Sequence, residues 1–182
     1  KLARKKNNGT CTNGITRTFT ETTHADVNDD QVNAVQAAQG NWPGNKYLNI
    51  FVVNDAGGAA GYTTYPSNWS GTSMSNGIKI LHNYVGSIGT SNMTVSTALS
   101  HEVGHWLNLA HCWGNSNSPG LPENCGDDDG VSDTPNTIGW TSCNINGVSC
   151  SSLDNVENYM EYSYCSKMFT EGQKARMHAA LE

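Results

Sequence analysis

The sequence contains HEVGHWLNLAH at positions 101–111, with three histidines and one glutamate at fixed spacing. On an α-helix, residues four apart share a face, so His101 and His105 would project together one turn apart. Two imidazoles so placed can share one zinc ion, each at about 2.0–2.1 Å. Glu102 falls about 100° round the same helix. That is too far round for an in-line ligand, but it lets the carboxylate touch a zinc-bound water as its general base.

His111 lies six residues past His105. A continuing helix would rotate it away by about 240°, net, and carry it about 9 Å along the axis. For His111 to be the third ligand, the helix must stop and the chain must turn sharply between them. Such a turn needs a left-handed residue, for which glycine is best and asparagine the usual second choice. Asn108 stands where that residue is required. Three histidine ligands leave one coordination position open, the mark of a catalytic rather than a structural zinc site. HExxH alone recurs by chance in helices with scattered histidines. The third histidine, with a turn-capable residue before it, lifts this stretch above that reading. His24, His82 and His178 have no ligand spacing around them and read as surface or core histidines.

The elements that must carry these groups follow from periodicity. DVNDDQVNAVQAAQGNW offers Val32, Val35 and Ala38 at helical spacing, acidic residues early and Gly40 as a stop. YLNIFVV (47–53) reads as a buried strand. GGAAGYTTYP reads as a glycine-rich turn and a short edge strand ending at Pro66, and GIKILHNYV (77–85) as another strand. TVSTALSHEVGHWLN reads as a helix capped by Thr94 or Ser96, with Val95, Leu99, Val103 and Trp106 on one face. From 114 to about 155 the chain is rich in Gly, Asn, Ser, Asp, Pro and Cys. A structureless stretch of that length is unusual unless cross-linked or metal-bound. The last helix starts at Thr170, which can form a capping box with Gln173.

The length of 182 residues suits a single domain with a real core. Only 14% of residues are charged, so polarity rests on uncharged side chains and loops should be plentiful. The formal net charge of −6 argues against nucleic acid as a partner. The basic KLARKK at the start is consistent with a terminus left by processing. No apolar run approaches the roughly 18–20 residues needed to span a bilayer, and no signal peptide is visible. The six cysteines, Cys11, Cys112, Cys125, Cys143, Cys150 and Cys165, form no CxxC, which leaves a thiolate zinc site poorly supported. An even count in a loop-rich chain suggests three disulfides and an oxidising compartment. Spacing alone does not choose among the 15 or so pairings.

These residues resemble the metzincin clan of zinc endopeptidases, whose extended motif is HExxHxxGxxH. A second segment, NVENYMEYSYC, resembles the clan's methionine-containing turn. HEVGHWLNLAHCWG, CGDDDGVSDTP, NYMEY and MFTEGQKARM, in this order, resemble the pappalysin family and its bacterial secreted members. YLNIFVV and GGAAGYTTYP match the family's upstream strand region, so the resemblance covers roughly residues 45 to 182. Asn108 in place of glycine is the clear departure.

The resemblance implies an α+β fold in two lobes within one catalytic domain spanning 1–182. The upper lobe, to about residue 111, holds a twisted mixed sheet and the active-site helix. The lower lobe, from about 112, is irregular, disulfide-linked and ends in a helix. It implies a secreted, extracellular zinc metalloendopeptidase acting on protein or peptide substrates, monomeric, matured from a form with an N-terminal pro-segment, and bound to neither nucleic acid nor membrane. Zinc would sit on His101, His105 and His111, with Met160 as an apolar base beneath and Tyr162 holding the oxyanion. The edge strand would pair with an extended substrate. A calcium ion is implied at Asp129 and Thr134. The family pattern pairs Cys125 with Cys150 and Cys143 with Cys165, which leaves Cys11 to Cys112. Two other readings are a protease-fold binding module without activity and a zinc hydrolase of non-peptide amides. The intact Glu102 and Tyr162 weigh against the first, and an edge strand suited to an extended chain against the second.

Overall fold

Ile50–Val53 forms strand β1, and its side chains alternate: Phe51 and Val53 are buried, Ile50 and Val52 exposed. The expectation of a strand buried on both faces is therefore corrected, because β1 lies at the edge of its sheet with one face covered. The computed structural model describes residues 1–20, 30–69 and 73–182, so His24 lies outside the described residues. The chain forms two compact units, Lys1–His82 and Asn83–Glu182.

In the first unit, helix α1 (Asp30–Gln39) ends at Gly40, whose φ of 82° provides the left-handed stop. β1 pairs in parallel with β3 (Ile78–Leu81), and β3 pairs antiparallel with β2 (Gly61–Thr63). The sheet order β1-β3-β2 makes the sheet mixed and places β2 at its other edge. Strand β3 stops at Leu81 and passes into a 3-10 turn at His82–Tyr84, shorter than the run 77–85 suggests. Val32, Trp42, Phe51, Val53, Ala56 and Met74 pack together as the core of this unit.

In the second unit, helix α2 (Ala98–Trp106) carries the histidine pair. Its N-cap is Thr97, without a side-chain capping bond, and Thr94 and Ser96 lie in the turns before it. The buried positions of α2 are His101, Glu102, Gly104, His105 and Trp106, whereas Val95, Leu99 and Val103 are half-buried. The covered face of this helix is thus the one that carries the chemistry. The segment after it is mostly irregular, with a 3-10 turn at Pro122–Gly126 and a two-residue ladder of β4 (Val148–Ser149) with β5 (Ser152–Leu153).

Helix α3 (Glu171–Ala179) starts in a complete capping box: the Gln173 amide donates to Thr170 Oγ1, and the Thr170 amide donates to Gln173 Oε1. Gln173 does more than cap. Its side chain exchanges two hydrogen bonds with that of fully buried Asn158, at 2.9 and 3.2 Å. Asn158 Oδ1 in turn accepts from the Met160 amide at 2.9 Å, so α3 fixes the methionine turn.

Disulfides join Cys125 to Cys150 and Cys143 to Cys165 across the irregular segment, with sequence separations of 25 and 22. Closing loops of this size stabilises by about 3 kcal/mol each in the chain-entropy model. The third expected bridge is corrected: Cys11 and Cys112 are not bonded. Cys11 is exposed, whereas Cys112 is buried in a core cluster with Leu109 and Met160. That apolar packing gives Cys112 a reason to be where it is as a small hydrophobe, with no bridge required.

Candidate metal centre and active site

Helix α2 ends in a Schellman turn. The Leu109 amide returns to the Gly104 carbonyl at 2.9 Å, and the Asn108 amide to the His105 carbonyl at 3.0 Å. Asn108 has φ 72°, the left-handed residue the geometry demands. The chain then doubles back, and one ring nitrogen of each of His101, His105 and His111 lies within 4.8 Å of those of the others. Among the described residues this is the one such cluster of His, Cys, Asp and Glu.

All three rings are aimed by backbone oxygens. His101 Nδ1 contacts the Tyr159 carbonyl at 2.7 Å, His105 Nδ1 the Leu109 carbonyl at 2.7 Å and His111 Nδ1 the Ser116 carbonyl at 3.0 Å. A carbonyl can only accept, so each Nδ1 carries the proton and each Nε2 a lone pair. Yet His105 Nε2 and His111 Nε2 face each other at 3.2 Å. Two lone pairs that close repel unless a cation lies between them. Two nitrogens bound tetrahedrally at zinc distances would be about 3.3 Å apart. The donor set, its tautomers and its spacing therefore fit zinc.

Burial favours the same state. It pushes the His111 imidazole down to about 3, with His105 nearby adding to the effect and the bond to Ser116 opposing it. His101 is held well below the usual range by burial and then by His105 and His111, and His105 is lowered chiefly by burial. All three are thus neutral at pH 7 and able to ligate. Burial pushes the Glu102 carboxyl up to about 8. A divalent cation beside it would favour the carboxylate instead.

Met160 is fully buried, with its Sδ well inside contact distance of where a Cβ on Gly104 would stand. Gly104 is therefore required by this close approach, which brings the helix down onto the turn. Tyr162 stands beside the cluster, its ring centroid 5.3 Å from that of His101 and 5.0 Å from that of His111. Trp113 stacks flat on His111 at 4.3 Å and donates from Nε1 to the same Ser116 carbonyl that orients it. Neither Trp113 nor Ser116 stands out in the sequence as a site residue; the WG following the last histidine is the only trace. His82 and His178 are exposed and outside the cluster.

Asp129 and Thr134 are brought together: Thr134 Oγ1 donates to Asp129 Oδ1 at 2.7 Å, as does the Val131 amide at 2.9 Å. Asp129 Oδ2 is buried without a hydrogen-bond partner. Glu161 is 3% exposed, with Oε2 accepting from the Trp140 amide.

Residues 26–182 match the family model described as pregnancy-associated plasma protein-A, of the M43 peptidases. An extracellular metalloprotease of Sordaria macrospora is 38% identical over 148 residues, covering 72% of this chain and 47% of that protein. One of Neurospora crassa is 37% identical over 143 residues, with the same coverage of 72% and 47%. The chain thus spans about half the length of the curated relatives it matches. Mature mirolysin of Tannerella forsythia, solved in complex with a cleaved peptide, superposes with a TM-score of 0.82 at 33% identity, covering 98% of this chain and 68% of that one. A promirolysin mutant superposes with a TM-score of 0.80 at 32% identity, covering 98% and 60%. By its family match and its three-histidine cluster, the chain belongs to the pappalysins, the M43 family of zinc-dependent metzincin metalloproteases.

Proposed function

We propose that this chain is the catalytic domain of a secreted zinc endopeptidase that hydrolyses peptide bonds in extended protein substrates. The observation that carries this reading is the facing pair of lone-pair nitrogens, His105 Nε2 and His111 Nε2, 3.2 Å apart with His101 beside them. His101, His105 and His111 would hold the ion. Zinc held there would polarise a scissile carbonyl and acidify a water. Glu102, buried on the same helix, would take the water's proton and return it to the leaving amine. Tyr162 would donate a hydrogen bond from its hydroxyl to the oxygen on which charge develops. Met160, buried in the apolar cluster with Leu109 and Cys112, would give the histidines an apolar floor and no ligand. The edge position of β2 suits pairing with an extended peptide.

Calcium at Asp129 and Thr134 is part of the same proposal, supported by the buried, unpartnered Asp129 Oδ2. A carboxylate oxygen in that state is costly unless a cation or proton meets it. The extracellular metalloproteases and the promirolysin form among the relatives support secretion and an N-terminal pro-segment, and the domain is proposed to act as a monomer.

Casein hydrolysis tests the reading. Turnover should vanish with a zinc chelator and return with zinc. Glu102→Ala should keep the metal and lose on the order of 10² or more in rate. Retention of a tenth of wild-type turnover would rule out Glu102 as the base. An inactive binding module would show no turnover at all, and an amide hydrolase would spare casein.

A further inference from the structure

The hydroxyl of Tyr162 donates to Asn117 Oδ1 at 3.3 Å. Asn117 belongs to the short loop that also orients the third histidine. Its neighbour Ser116 accepts from both His111 Nδ1 and Trp113 Nε1 through its carbonyl, at 3.0 and 2.8 Å. On the other side, the Ser118 carbonyl accepts from Asn124 Nδ2 at 2.9 Å, and the Ser118 amide donates to Ser116 Oγ at 3.0 Å. The backbone on either side of Asn117 is therefore tied down, which holds its side chain in place although it is exposed. The Tyr162 ring is met by Trp113 at 4.9 Å, edge to face, and by His101 and His111. Those ring contacts leave the direction of the hydroxyl to its hydrogen bonds.

We propose that Asn117 is a positioning residue for Tyr162, presenting its hydroxyl at the rim of the histidine cluster. A phenol has one proton to donate. A neutral acceptor at 3.3 Å holds it weakly, so the bond is readily exchanged for a stronger, charge-assisted one to a developing oxyanion. Asn117 thus fixes the ring in reach before substrate arrives, and the Tyr162 hydroxyl exchanges this hydrogen bond for one to the oxyanion when charge appears. The ordering of Tyr162 is then largely complete in the substrate-free protein, and its loss should appear in kcat rather than in KM. The same loop thereby sets both a metal ligand and the group that meets the substrate. This inference rests on the role of Tyr162 given above.

The test uses Asn117→Leu, which removes the acceptor, and Asn117→Asp, which keeps one. Asn117→Leu should lower kcat by about three- to tenfold, the value of one ordinary hydrogen bond, with KM within about twofold. Asn117→Asp should lower kcat as well, because a charged acceptor holds the phenol proton in competition with the oxyanion; kcat equal to wild type in this variant would overturn the release step. Tyr162→Phe should cost less in the Asn117→Leu background than alone. A second readout needs no activity. In metal-free protein carrying 13C-labelled tyrosine, the Tyr162 ring signals, assigned by their loss in Tyr162→Phe, should move in Asn117→Leu more than those of any other tyrosine. Unmoved signals, or additive rate losses, would overturn the positioning role. If Tyr162→Phe turns over like wild type while Asn117→Leu still moves the ring signals, the catalytic reading of Tyr162 fails and the contact stands.

Discussion

Arg176 Nε donates to the carbonyl of Asn108 at 2.7 Å, across 68 positions of sequence. The acceptor belongs to the left-handed residue that follows the helix carrying His101 and His105. The same guanidinium reaches the carbonyls of Asp129 and Gly130 through Nη1, at 3.1 and 3.3 Å. One side chain of α3 therefore ties the turn before His111 to the acidic loop. Arg176→Met keeps the aliphatic stem and removes these donors. Hydrogen bonds involving a charged group are worth about 1.5–3 kcal/mol, and we expect a loss towards the lower end of that range in urea unfolding, with weaker zinc retention. An unchanged midpoint would mean that the turn holds itself.

At Asn108 itself, glycine should be equal to or slightly better than the native residue, because φ 72° costs glycine nothing. Asn108→Val should cost about 1–2 kcal/mol or more and reduce zinc occupancy, since a β-branched residue is strongly disfavoured there. Thermal melts and metal analysis of the two variants, side by side, would decide it. Equal behaviour would place the turn's constraint elsewhere.

Gly104→Ala should be among the most damaging small changes in the chain. Its methyl would stand well inside contact distance of Met160 Sδ and 3.3 Å from the Phe169 ring. Overpacking of this kind costs about 1–3 kcal/mol, and here it falls on the helix that carries His101 and His105. Gly104→Ala combined with Met160→Ala should recover stability relative to Gly104→Ala alone; failure to do so would show that the clash is not with Met160.

Glu161 provides a pH dependence whose sign can be worked out. Burial, opposed by the Trp140 amide and reinforced by nearby Asp154, pushes its carboxyl up to about 8. The folded state therefore binds a proton that the unfolded state releases near the ordinary carboxylate range. Stability from this group is fully present at pH below that range and is lost as pH rises through about 8. Its Oε1 is buried and unpartnered, which is where the proton would sit. Glu161→Gln should thus match wild type near pH 5 and melt higher than wild type near pH 9. A melting-temperature difference independent of pH would refute a protonated Glu161.

The three-histidine cluster was legible because it obeys local rules. Residues four apart on a helix must face together, and a six-residue gap to His111 demands a left-handed turn, which Asn108 supplies. The capping box at Thr170 was legible for the same reason. Arg176, Ser116, Trp113 and the second role of Gln173 were not. Each acts through a bond to a backbone atom, or to a side chain far along the chain, and such partners leave no periodic trace in sequence. The bridge expected between Cys11 and Cys112 failed on a related point. An even count of cysteines suggests pairing, but burial in an apolar cluster is an equally good reason for a cysteine, and counting does not see burial. The strand at 47–53 was overextended because an apolar run does not reveal that only one of its faces is covered.

His101 takes its aim from a carbonyl 58 positions further along, at Tyr159. On a ribosome adding about 5–20 residues per second, that interval lasts roughly 3–12 s. Throughout it, the nascent polypeptide already displays its whole HEVGH stretch but lacks the oxygen that turns the first imidazole into register. The orientation of His101 is therefore set only once the chain has been made through Tyr159, well after the helix that carries the ring.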